Sequence, residues 1–370
     1  MIKDNDRISS WQVFIIIIST INAVEILSSP RRLVTFAGPD GWLLVIGGHL
    51  LGALGLFFII KLGLLYPKDT LVEYSQKIVG RFFGSLVAVL AILFWLLTTA
   101  KTTRQFAEFT HLILHETPIE VIIISLLVVV AYIARHGLEP IARMLEILFP
   151  IFIAILALLF FSAAPKGDYT NLLPFLNTDV KSLIHGTIDN SLGMEGQESL
   201  VMLLPFMMAS KDAYKAGFAA IGLDMLLRIA AFIVVIAVLG EHLTKVFLWP
   251  LEEIGRFLFS PGEFFGRLDA FFTALWVTVA FSAVLVYYYL VSLTLSRLLK
   301  FREHTPLVFP LLPVIFILSL IPSNVFEVER ASSMISWVFG ILAFTVPPLL
   351  LLISYIRGTH KKSGKDVGTG

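Results

Sequence analysis

The sequence contains no cysteine, and only 15% of its 370 residues are charged. The first absence excludes disulfide cross-links, thiolate metal sites and cysteine nucleophiles. The second falls well short of the roughly 25% charged residues of a soluble domain. With a formal net charge of +1 and no polybasic run, the chain also lacks the electrostatic footprint of a nucleic-acid binder. No His/Cys metal spacing, phosphate-cradling glycine loop or nucleophile–base arrangement is present, so the reading is non-enzymatic, with no metal and no cofactor. What is present is apolar: 57% hydrophobic residues, 31 phenylalanines and a mean hydropathy of +0.87 describe an all-α integral membrane protein.

Runs of about 20 apolar residues, the length that crosses ~30 Å of hydrocarbon, predict ten transmembrane helices. They lie near residues 11 to 36, 42 to 65, 83 to 112, 119 to 135, 140 to 163, 184 to 210, 216 to 240, 269 to 298, 306 to 322 and 331 to 356. The first run lacks a small-residue cleavage site and reads as a true span rather than a signal peptide. An even count puts both termini on one side. With the termini cytoplasmic, seventeen Lys and Arg fall on the inside and six on the outside, which sets the orientation. Between spans two and three, Thr70 with Glu73 three residues on forms a capping-box pattern ahead of a short amphipathic helix ending at Gly80. Residues 241 to 268 suit an interfacial half-helix on the outer face.

Two spans carry polar interruptions, Asn22-Ala-Val-Glu-Ile-Leu-Ser-Ser-Pro30 in the first and Asn190-Ser-Leu-Gly-Met-Glu-Gly-Gln-Glu-Ser199 in the sixth. Irregular backbone at membrane depth survives only where protein or a hydrated cavity satisfies it, and paired broken helices in corresponding positions of two halves mark a transporter-type binding site. Breaks in spans one and six divide ten spans into five and five. An odd number per half forces the second half to enter from the opposite face, as in an inverted repeat. The division is a single transmembrane domain over 1 to 370, with a first repeat at about 10 to 163, a second at about 184 to 356 and a cytoplasmic tail at 357 to 370.

Unwinding around Ala23 to Leu27 would make Ser29 an N-cap and Pro30 the first residue of an outer half-helix, whose free amides and positive dipole end attract a carboxylate. The same argument applies at Gly196 to Ser199. The ligand-binding candidates are therefore Ala23, Glu25, Ser28, Ser29, Gly193, Glu195, Gly196 and Gln197. Glu25 reads either as an amine anchor or proton site, or as one half of a structural ion pair with Lys101 or Arg104, because a carboxylate within a span needs a partner or a proton. Glu195 reads similarly, although Glu195 and Glu198 could face a vestibule; convergence of Glu25 and Glu195 would favour a shared proton. Candidates for an ion pathway or coupling are Glu25, Lys101, Arg104, Glu108, Glu195, Asp224, Arg228 and Tyr287. Among them Arg104/Glu108 and Asp224/Arg228 are i,i+4 pairs and read first as internal staples. His49, His111 and His115 fall near span ends and read as solvated.

Five stretches, Tyr66-Pro67 with Thr70-Leu71 and Glu73, Gly137-Leu-Glu-Pro-Ile-Ala-Arg143 with Glu146 and Pro150, Asn171-Leu-Leu-Pro174, Gly193-Met-Glu-Gly-Gln197 and Gly262-Glu-Phe-Phe-Gly-Arg-Leu-Asp269, together resemble the B subunits of spore germinant receptors. Those belong to the amino acid, polyamine and organocation transporter superfamily. The resemblance implies a LeuT-like 5+5 inverted repeat with helices one and six broken, and a membrane subunit that binds a small nutrient, an amino acid foremost, to trigger germination, with ion release as a possible route. It also implies A and C receptor subunits as partners and the spore inner membrane as location. Ala23 and Glu25 stand where the family pattern carries glycines. A proton- or cation-coupled amino-acid transporter is the alternative, since the same fold supports alternating access.

Overall fold

The computed structural model describes residues 6–22, 25–112, 114–258 and 268–359; the side chains of 256–276 are left aside. Within these residues the chain is almost entirely helical. The first predicted span is two helices, α1 (Ser10–Asn22) and α2 (Glu25–Ala37). They are followed by α3 (Gly41–Leu65), the short α4 (Leu71–Val79), α5 (Arg81–His111), α6 (Ile119–Ala134) and α7 (Leu138–Ala163). The sixth span is α8 (Val180–Leu192), an irregular turn, and α9 (Leu200–Leu203) flanked by 3₁₀ turns. Next come α10 (Ala213–Val246), α11 (Pro250–Leu258), α12 (Leu268–Leu298), α13 (Thr305–Leu320), α14 (Val325–Gly340) and α15 (Val346–Arg357). Each of the ten predicted spans coincides with a helix or a broken helix. Six helical stretches among the described residues are long and apolar enough to cross a membrane as they stand.

The local signals explain several boundaries. Glu73 accepts from the Thr70 backbone N–H at 2.8 Å and from its hydroxyl, the capping box foreseen for α4. Gly240 (φ +71°) interrupts α10 and frees the Ala237 carbonyl, which accepts from the Asp168 N–H (2.8 Å) and the Asn171 amide (3.2 Å). The connection between α7 and α8 is thereby fixed to α10. Between α14 and α15 the chain makes one π-helical turn (Ile341–Thr345) just ahead of Pro347 and Pro348, which lack the N–H groups needed to close regular turns there. In the interfacial stretch, α11 forms at Pro250–Leu258; residues 259–267, which carry most of the Gly262–Asp269 motif, lie outside the described residues.

One element differs from expectation. Because α2 already starts at Glu25, Ser29 is not its N-cap and Pro30 is not its first residue; Pro30 sits in the second turn. Pro30, inside α2, removes the bond that its N–H would have made to the Ile26 carbonyl and sets its ring against that carbonyl. Ala23 lies outside the described residues.

Packing follows a reciprocal scheme. α1 lies against α10 as α8 lies against α3, and α5 packs on α14 as α12 packs on α7. The two broken spans run side by side. At one end Ile8 bonds to both sides of Met207, from its N–H to the Phe206 carbonyl and from its carbonyl to the Met208 N–H, each at 2.9 Å. At the level of the breaks Gly196 presses on α1, and beyond them α2 packs on α8.

Candidate functional site

The C-terminal end of a helix leaves its last carbonyls without intrahelical partners. The Ile21 carbonyl, in the last turn of α1, accepts from Arg228 Nη2 of α10 at 2.9 Å. The facing break is held by Gly196, whose φ of +133° suits only glycine and where a Cβ would come within 2.7 Å of the Ile21 nitrogen and the Thr20 hydroxyl. The second break therefore packs directly on the last turn of α1. Glu198 accepts from the Gly196 N–H (2.6 Å) and from Trp95 Nε1 of α5 (3.3 Å), so its carboxylate fastens the turn that precedes α9.

Charges gather around this contact. Glu195 is bound by Lys101 Nζ of α5 at 2.6 Å and by the Ser336 hydroxyl of α14 at 3.1 Å, with both members of the ion pair nearly inaccessible (side chains 6% exposed). Glu25 pairs with Arg32 one face along α2, rather than with Lys101 or Arg104. The reason is distance along a helix: residues seven apart return to the same face after two turns. The Arg32 guanidinium lies against Gly193, where a Cβ would come within 2.5 Å of it, and stands in electrostatic reach of Asp189 and Glu195. Glu25 and Glu195 thus each have a cation of their own, and no shared proton is needed to relieve them. Neither Glu195 nor Glu198 faces a vestibule; both are buried.

Of the ligand-binding candidates, the structure brings Glu25, Gly193, Glu195, Gly196 and Gln197 to this junction; Ser29 is buried in α2, while Ser28 is half-buried. Several polar atoms here have no hydrogen-bond partner among the described residues: both side-chain atoms of Gln197, the Ser199 and Ser29 hydroxyls, Asn22 Oδ1 and the Tyr287 phenol. Tyr287 lies in electrostatic reach of Glu198, Glu195 and Glu25, whereas Tyr288 bonds the Val308 carbonyl (2.6 Å) and Tyr289 packs on His304. Of the remaining coupling candidates, Arg104 bonds Glu108 (2.7 Å) and reaches the Ser319 carbonyl, tying α5 to α13. Asp224 and Arg228 are in contact at 3.0 Å and adjoin the α1 end of the junction. His49 is not solvated: it is buried and bonds Asp224. It lies in the third turn of α3, because that helix begins at Gly41. Sequence reasoning missed Trp95 and Ser336, whose types carry no signal apart from their tertiary neighbours. A separate polar cavity of about 210 Å³ opens at the end where α1 starts, lined among others by Asp6, Arg135, Arg297, Arg302 and His304.

Broken spans lying side by side, the second break packed on the end of α1, inside a reciprocally packed bundle, define a multi-pass membrane protein of the LeuT fold. The chain superposes on the crystal structure of MhsT in complex with L-phenylalanine with a TM-score of 0.71, at 13% identity over 95% of this chain and 99% of that one. For a Na+-coupled sialic acid symporter in a substrate-bound outward-open state the TM-score is 0.64, at 14% identity over 93% and 80%. The chain belongs to the spore permease family, whose model, described as spore germination protein, matches residues 7–328. It is 31% identical over 368 residues to spore germination protein YndE of Bacillus subtilis (strain 168), spanning 98% of this chain and all of that one. It is also 29% identical to spore germination protein KB of the same organism, over 85% and 84% of the two chains, and 26% identical to A2, over 95% and 96%.

Proposed function

We propose that this chain is the membrane-embedded sensing subunit of a spore germinant receptor, and that it binds a small nutrient, an amino acid foremost, where the two broken spans meet. The observation that carries the reading is the set of buried polar atoms of Gln197, Ser199, Ser29 and Tyr287, which have no hydrogen-bond partner among the described residues, in the two spans that carry the Glu25–Arg32 and Glu195–Lys101 pairs and in α12, whose Tyr287 is in electrostatic reach of Glu25 and Glu195. An interior satisfies its polar groups by protein, water or ligand. A zwitterion offers both an acceptor and donors to such a junction, and occupancy would then shift the balance between conformations of the bundle. By membership of the family, A-type and C-type subunits are the expected partners, the spore inner membrane the expected location and the cytoplasmic face the expected side of both termini.

The alternative, a proton- or cation-coupled amino-acid transporter, is favoured by the fold it shares with MhsT. The deciding experiment is uptake of a radiolabelled amino-acid panel into proteoliposomes with and without a proton gradient, paired with binding to the same preparation and with Glu25→Gln as a control. Saturable binding without accumulation supports the sensor. Gradient-driven accumulation makes the chain a transporter, and absence of binding to any amino acid overturns the choice of ligand.

A further inference from the structure

The polar cavity of about 210 Å³ at the end where α1 starts lies apart from the breaks. Its inner wall includes Phe206, Tyr289 and Leu293, all buried, so it is a recess of the bundle interior and not a groove in the lipid-facing surface. Three arginines from separate places in the chain also line it: Arg135 at the C-terminal end of α6, Arg297 in the last turn of α12, and Arg302 in the turn between α12 and α13. The buried Tyr289 phenol has no hydrogen-bond partner among the described residues; its ring packs on His304, and it stands in electrostatic reach of Asp6 and Arg297.

Two of the three acids on this wall are already engaged. Asp6 Oδ1 accepts from the N–H groups of Leu138 (2.7 Å) and Glu139 (3.2 Å), and the Glu139 carboxylate pairs with Arg143 at 2.6 Å. The third, Glu303, is exposed. Both histidines bond backbone carbonyls, His136 that of Tyr132 and His304 that of Ala134. The guanidiniums, by contrast, have little to hold. Arg135 lies over the Phe309 ring, Arg297 is 3.7 Å from Glu73, too far for a hydrogen bond, and Arg302 has no ion pair among the described residues. An arginine fork matches the edge of an oxyanion. Three forks and a phenol O–H offer more donors than the roughly four lone-pair sites of a carboxylate accept, so a tetrahedral oxyanion is the better match. It also supplies the acceptor that the buried phenol lacks.

We propose that this recess binds a small phosphate-class oxyanion from solution, held by the three guanidiniums and by the Tyr289 hydroxyl, which donates to it. Bound there, the anion ties α6, α12 and the turn between α12 and α13 together. It does so beside two contacts that already fasten this end of the bundle, Asp6 on the first amides of α7 and Ile8 on the backbone around Met207. Occupancy therefore holds this end shut. That the end faces the cytoplasm rests on the orientation proposed above; the site itself rests on neither the sensor nor the transporter reading.

The test is thermal unfolding of the full chain in a maltoside detergent, which carries no phosphate, titrated with sodium phosphate against sodium chloride of equal ionic strength. The expected result is a saturable rise of the midpoint, as for any ligand that binds only the folded state. Arg302→Gln is expected to raise the half-saturating phosphate concentration roughly tenfold or more, the loss of a charge-assisted bond. Lys300→Gln, which removes an exposed charge in the same turn but off the cavity wall, is expected to leave it unchanged. Tyr289→Phe removes only an unpaired polar atom, so without phosphate it is expected to unfold no lower than the unsubstituted protein, and with phosphate to show a weaker shift. No rise, or a rise that is unsaturable or equal in every variant, is the general effect of phosphate on burial at most and overturns the proposal. A lower midpoint of Tyr289→Phe without phosphate also overturns it, since the phenol would then already be bonded. A rise produced by phosphatidylglycerol in the micelle but not by free phosphate assigns the arginines to a lipid headgroup and overturns it equally. No amino acid is present in these measurements, so failure here is distinguishable from failure of the sensor reading.

Discussion

At the scale of single residues, the Glu195–Lys101 pair sets the energetics of the junction. Removing one partner of a buried ion pair strands the other charge and costs about 3–5 kcal/mol, whereas replacing both by neutral groups is far milder. Lys101→Met is therefore expected to lower thermal stability sharply, and Lys101→Met/Glu195→Gln to recover much of the loss, as read by fluorescence-monitored unfolding in detergent. Equal instability of the single and double variants would show that the pair is not the source. Gly196 gives a second prediction. An alanine there must adopt a φ of +133° and drive its Cβ into the Ile21 backbone, so the second break has to move away from α1. Gly222, in α10, has nothing within 4 Å of a built Cβ. Gly222→Ala is expected to leave the unfolding midpoint unchanged or raised, since alanine is the better helix former by about 1 kcal/mol, while Gly196→Ala lowers it.

At the scale of elements, a different residue type joins the first half to the connection between α7 and α8. Asp40, buried at the turn before α3, accepts from the backbone N–H groups of Leu176, Asn177 and Thr178 at 2.7 to 3.0 Å, and from the Thr178 hydroxyl. Asp40→Ala is expected to speed amide exchange at these three positions by roughly tenfold or more, the equivalent of ~1.4 kcal/mol, with α5 unaffected in the same mass-spectrometric experiment. Asp40 was not legible as an anchor, because its partners lie more than 130 residues away and are backbone amides without side-chain identity. The helices themselves were legible: long apolar runs in a chain with few charges leave little else for a bilayer to accept. The places of the breaks were legible too, because Glu25, Glu195 and Gly196 interrupt otherwise apolar runs. Where α2 restarts was not, since serine and proline cap a helix in one register and are tolerated in its first turns in another. Ion-pair partners divided along the same line: Arg104/Glu108 and Asp224/Arg228 are fixed by helical spacing, while Lys101/Glu195 and His49/Asp224 depend on which helices meet.

For the whole molecule, the untested arrangement is the sense in which the two halves cross the bilayer. The reciprocal packing of α1 on α10 and α8 on α3 is what two halves of opposite orientation produce. The orientation we propose follows the seventeen-to-six distribution of Lys and Arg, because basic loops are retained on the cytoplasmic side. A chain without cysteine makes this directly measurable: each introduced cysteine is the sole thiol. Lys68 lies in the turn before α4, Thr170 in the connection between α7 and α8, and Arg302 between α12 and α13; all three are exposed. With a membrane-impermeant maleimide on intact cells and on inside-out vesicles, Thr170→Cys is expected to react from outside only, and Lys68→Cys and Arg302→Cys from inside only. Because Lys68 and Arg302 occupy opposite halves of the chain, their shared sidedness requires an even number of crossings between them. The opposite result at Thr170 requires an odd number from Lys68 to Thr170. Labelling of Thr170→Cys from the same side as Lys68→Cys would therefore break the five-and-five arrangement itself, whereas exchange of all three sides would keep it and reverse only the assignment of faces.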